Sequence, residues 1–174
     1  MNKRILFYVL LLALILPFVS VADETEVSKI EWLVSKYHYS LPSMNKIENY
    51  SLYCKIIYNR QYQPEDYIFV FRAQNDKYDV LEDQFVICSG DAQKMYDTLS
   101  ACIYFSENVK ESGLTFKTNG IALENTKLPL GGGWITYIEI DGSYHGFKMK
   151  ELKNLMTKFE AFCKKQGLQI KKQD

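Results

Sequence analysis

The sequence predicts an α+β domain: an antiparallel sheet of five to six strands joined by tight turns, with helices packed on one face. Three stretches carry this prediction. Trp134, Thr136, Ile138 and Ile140 alternate with Ile135, Tyr137 and Glu139, the period of a strand rich in β-formers. From Phe147 the spacing becomes helical, with Leu152, Leu155, Met156, Phe159, Phe162 and Cys163 on one stripe, lysines opposite and Gly167 as a stop. Between Leu114–Thr118 and Ile121–Asn125, Asn119-Gly120 is a strong hairpin signal.

The first 22 residues stand apart. Lys3 and Arg4 precede an apolar run from Ile5 to Leu16, followed by Pro17 and the small residues Ser20 and Ala22. This is the pattern of a secretory signal peptide cleaved near Ala22. The run is well short of the ~20 residues that a spanning helix needs. Residues 23–174 are therefore expected to form one globular domain, periplasmic or extracellular, with no membrane span in the mature chain. Without Lys3 and Arg4 the 21 basic residues become 19 against 21 acidic ones, a formal charge of about −2. That balance gives no nucleic-acid footprint.

Taken in order, Asp23–Tyr39 places Val27, Ile30, Leu33, Val34 and Tyr37 at helical spacing behind acidic residues, which predicts an N-terminal helix ended by Leu41-Pro42-Ser43. Tyr50–Tyr58 reads as a strand, with Leu52, Cys54 and Ile56 alternating with Tyr53, Lys55 and Ile57. Gln63–Asp66 reads as a turn, Tyr67–Arg72 as a strand and Gln74–Lys77 as another turn. Within Tyr78–Cys88 the best strand segment is Phe85–Cys88. Ser89-Gly90-Asp91 supplies helix caps before the stripe Ala92, Met95, Tyr96, Leu99, Cys102 and Ile103, which should fray near Asn108. Lys127–Gly133 is a loop, and Asp141-Gly142 a turn leading into Ser143–Gly146 and the last helix. After the first helix the order is β-β-β-α twice, a loose pseudo-repeat or a coincidence.

Cys54, Cys88, Cys102 and Cys163 all lie in the exported part, where disulfides can persist. Cys88 and Cys102 are separated by about 16 Å of helix on the expected geometry. That excludes Cys88 with Cys102, and with it Cys54 with Cys163. Of the two sets left, Cys54 with Cys88 and Cys102 with Cys163 is preferred to Cys54 with Cys102 and Cys88 with Cys163, because Cys102 and Cys163 both fall on apolar stripes of helices expected side by side. The alternative is four buried thiols. The glycines at 131–133 lead into a strand, so they read as a hairpin arm and not a phosphate loop. Asp76, Asp79, Glu82 and Asp83 do not match an EF-hand, and the cysteine spacing fits no zinc motif. No metal or other cofactor is expected.

Seven tyrosines crowd between Tyr37 and Tyr67. A tyrosine has a large contact area and a polar tip, so Tyr53, Tyr62 and Tyr67 are the candidate binding residues. Tyr53 can face outward only if Leu52, Cys54 and Ile56 turn inward. The function these observations predict is a small exported, non-catalytic binding domain for a protein, peptide or glycan. The competing readings are a hydrolase built on His145 with Cys88 or a serine as nucleophile, and a structural envelope protein.

Overall fold

The computed structural model describes residues 27–40, 45–74 and 84–172. The signal-peptide segment, the proline stop at 41–43 and the acidic cluster at 76–83 lie outside the described residues. The elements are β1 (Ser28–Ser40), β2 (Asn45–Tyr58), β3 (Pro64–Gln74), β4 (Gln84–Gly90), α1 (Ala92–Asn108), β5 (Thr115–Thr118), β6 (Ile121–Lys127), β7 (Trp134–Ile140), β8 (Ser143–Lys148) and α2 (Met149–Gln166). The protein is α+β, but its strands form two four-stranded antiparallel sheets, β1-β2-β3-β4 and β5-β6-β7-β8, rather than one sheet of five or six. Each half is a meander of four strands followed by a helix.

The difference comes from two strands that the sequence disguises. Residues 28–40 form β1, not a helix. Its register slips between Trp32 and Val34 and between Lys36 and Tyr37. The first slip inserts Leu33 into β1, so that the neighbours Leu33 and Val34 both pack on the core and the two-residue period shifts there towards helical spacing; the second slip is taken up by Asn49 of β2. Residues 143–148 form β8, not a turn entering the helix. Asp141 (φ 49°) and Gly142 (φ 78°) complete a two-residue hairpin turn, after which His145 and Phe147 point inward. Similarly, β3 begins at Pro64, and the tight turn precedes it at Asn59–Gln63.

The remaining elements follow their patterns. Asp91 caps α1, its Oδ1 accepting from the Lys94 amide at 2.8 Å. The buried stripe of α2, Leu152, Leu155, Phe159, Phe162 and Cys163, is the expected one, and Gly167 ends it at φ 70°. The residues at 131–133 belong to a hairpin arm, closed by the Leu128 amide donating to Gly133 O at 2.8 Å.

The two helices pack on each other and each touches both sheets, so the inner faces close on one core. Phe69 meets Phe159 and Phe162 edge-on at 5.0 and 5.7 Å. Phe147 of β8 lies 5.1 Å from Tyr50 and 5.5 Å from Phe71, joining the second sheet to the first. The C-terminal carbonyls of α1 are satisfied from the second sheet. Asn125, fully buried, donates from Nδ2 to Phe105 O and Val109 O, and its Oδ1 accepts from Thr136 Oγ1 at 2.7 Å.

Candidate functional site

The inner residues of β2, Leu52, Cys54 and Ile56, are buried, so Tyr53 takes the opposite face. No helix or strand covers that face among the described residues. There Trp32 of β1 lies across from Tyr53, ring centroids 4.8 Å apart, and Tyr53 pairs with Val70 of β3. Arg72 Cζ is 5.5 Å from the Trp32 ring centre and 5.6 Å from that of Tyr53, close enough for cation–π attraction to both. Its Nε donates to the buried Ser51 Oγ at 3.0 Å, which fixes the guanidinium over the rings. Ile30, Trp32 and Val86 are 50, 49 and 51% exposed on this face, and Ile57, Ile68 and Val70 are half-buried beside them. The result is a largely aliphatic and aromatic surface around an Arg-aromatic stack, with Lys55 between Ile30 and Ile68.

The three tyrosines singled out in the sequence are not brought together. Tyr53 belongs to the stack. Tyr62 is 73% exposed at the tip of the β2–β3 turn, in a left-handed conformation (φ 58°). Tyr67 faces inward: it packs edge-on against Phe162 and its hydroxyl donates to Gln166 Oε1 at 3.3 Å. Trp32 and Arg72 were missed because the first was assigned to a helix and the second read only as a strand end. The alternation of Ile30 and Trp32 with Lys29 and Glu31 was the signal available for Trp32; the pairing of Arg72 with Ser51 is set only by strand register.

A second polar cluster lies where the sheets meet. A cavity of about 320 Å³ is lined by Lys36, Asn49, Ile135, His145, Gly146, Lys148 and Glu151. Glu151 accepts from Lys36 Nζ and from the Lys148 amide, the latter capping the first turn of α2. Burial pushes the Glu151 carboxyl up, but those hydrogen bonds and the Lys36 charge outweigh it and hold it below the usual carboxylate range. Tyr50 is pushed up to about 12 by burial, by the Glu151 charge and by its hydrogen bond to Glu151. His145 is buried, with Nδ1 2.7 Å from Gln74 O and its ring 4.6 Å from Phe147.

This cluster has the chemistry of a structural junction. Among the described residues no serine or cysteine lines the cavity beside His145. The Cys88 sulfur instead accepts from Thr98 Oγ1 at 3.4 Å, and burial raises its pKa. Burial also pushes the other three thiols up to about 12, the opposite of an activated nucleophile. Among the described residues no group of carboxylates, histidines or cysteines is arranged to hold a metal.

All four cysteines are free and buried, so neither Cys54–Cys88 nor Cys102–Cys163 is bonded. The neighbours are instead Cys54 with Cys163 and Cys88 with Cys102: Cys163 disfavours ionisation of Cys54, and Cys88 that of Cys102. The length of helix between Cys88 and Cys102 does not separate them, because α1 folds back over β4. Thr98, one turn before Cys102, already touches Cys88.

Compared with known proteins, the chain matches no family model and no curated protein sequence.

Proposed function

We propose that this chain is an exported, non-catalytic binding domain that recognises a protein or peptide through the outer face of its first sheet. Trp32, Tyr53 and Arg72 are the anchors. The supporting observation is the Arg-aromatic stack on an uncovered sheet face. Trp, Tyr and Arg are the side chains that most often dominate interface energy. Here cross-strand pairing and the Ser51 bond hold them in place, so little rotamer freedom remains to be lost on binding. The surrounding Ile30, Ile68, Val70 and Val86 offer aliphatic area and few hydrogen-bonding groups, which suits a polypeptide better than a glycan. Export is supported by the composition of residues 1–22.

Affinity capture with residues 23–174 from the envelope or surrounding fluid tests this reading. The expected result is a reproducible polypeptide partner that is lost on Trp32→Ala or Tyr53→Ala and kept on Tyr67→Phe. Capture unchanged by the first two substitutions would refute the surface. A native protein that begins at Met1 and fractionates with cytosol would refute export.

A further inference from the structure

We infer that the edge strand β1 pairs with β1 of a second copy of this chain, antiparallel and centred on Ile30, joining two first sheets into one. Of the four sheet edges, β4, β5 and β8 are seven, four and six residues long, whereas β1 has 13. Among the described residues no strand pairs with the far side of β1. A long edge presents a row of backbone donors and acceptors ready for another strand.

The occupant follows from the residues on that edge. The regular part of the ladder runs from Ser28 to Trp32 and ends at the bulge after Trp32, so its midpoint is Ile30. Antiparallel pairing of two such segments about their midpoint sets Ile30 opposite Ile30 and Ser28 opposite Trp32. It also sets Lys29 opposite Glu31 of the second copy, and Glu31 opposite Lys29 of the second copy. The segment is thus self-complementary in charge, with two oppositely charged cross-strand pairs in place of like ones. Within one chain Lys29 Nζ already lies 3.8 Å from Glu31 Oε2, which places both on the same sheet face. Lys165 Nζ, 3.4 Å from Glu31 Oε1, flanks them without closing the edge. On the other face Ile30, about half exposed, would meet Ile30 of the second copy, and the Trp32 of each copy, opposite Ser28, would flank that contact in one apolar ridge. The symmetry is two-fold and closed, so the product is a dimer and not a fibre.

The test uses Lys29→Glu and Glu31→Lys, which lie outside the Trp32–Tyr53–Arg72 stack, so partner recognition and dimerisation are separable. Sedimentation velocity between about 1 and 200 μM covers the range expected of a small strand-pair interface. The wild type should form dimers that grow with concentration. Each single variant sets like charges opposite one another and should sediment as a monomer, at least about tenfold weaker in association. An equimolar mixture of the two should recover dimers, because only the heterodimer restores both charge pairs. Matching thermal melts would show that all forms are folded. A monomeric wild type throughout this range, single variants that still dimerise, or a mixture that stays monomeric would each overturn the proposal.

Discussion

The outer faces of the two sheets have the same topology beneath them and opposite chemistry. On the second sheet Thr115, Lys117, Glu124, Thr126, Glu139 and Lys148 alternate with buried Leu123, Thr136, Ile138 and Phe147, the ordinary pattern of a sheet with one wet face. Its two exposed-face aromatics, Tyr137 and Tyr144, meet edge-on at 6.1 Å. The first sheet carries aliphatic and aromatic residues on both faces, yet among the described residues only its inner face is covered. A strand that is apolar on both sides in a sheet covered on one side indicates that the open side has a use beyond folding. That contrast supports the recognition surface more than any single residue does.

Substitutions that loosen the union of the two sheets should have the largest effect. Phe147→Ala removes the ring that meets Tyr50 and Phe71 across the junction and packs on His145 of its own strand. It should cost about 4 kcal/mol in denaturant unfolding. Asn125→Leu leaves Phe105 O, Val109 O and Thr136 Oγ1 without their buried partner. About 3 kcal/mol is expected, with the loss seen first as faster amide exchange at the end of α1.

Gly146→Ala tests how the second sheet closes its own outer face. An added Cβ would lie 2.8 Å from Ile135 Cγ2 and 3.0 Å from the Tyr137 ring, so that side chain must move. A loss of about 2 kcal/mol by thermal unfolding is expected. The junction also has a pH signature. Since Glu151 has its folded pKa depressed, its contribution is complete above the ordinary carboxylate pKa and disappears as pH falls through the folded value. Glu151→Gln should therefore reduce stability at pH 7 and make the remaining acid sensitivity shallower below about pH 5, read from unfolding midpoints across pH. The smallest effect is expected on the open face. Trp32→Ala, at a half-exposed position, should change stability by no more than about 1 kcal/mol while abolishing partner capture.

The α+β class, six of the eight strands and both helices of the structure were legible because their period was clean and their caps were local: Asp91 before α1, Gly167 after α2, Asn119-Gly120 and Asp141-Gly142 in hairpins. What misled were features set by tertiary structure. The bulge at Leu33 shifts the strand period of β1 towards a helical one. Gly146 reads as a loop residue, although it is a strand position kept bare because Ile135 and Tyr137 crowd it. The number of sheets was not readable, since no local signal tells β4 and β5 that they belong to different ones. Of the candidate site, Tyr53 was legible from the inward alternation of its neighbours. Trp32 and Arg72 were not, because their meeting depends on the registers of β1 with β2 and of β2 with β3.

The central claim is that the open face of the first sheet holds the partner, and Trp32 can report it directly. The chain has two tryptophans, so Trp134→Phe leaves Trp32 as the sole indole. Acrylamide quenching of that variant, dilute enough to be monomeric, would be compared with and without saturating captured partner. The account predicts that Trp32, open in the free protein, becomes shielded when the partner binds. Unchanged quenching with the partner fully bound would contradict it.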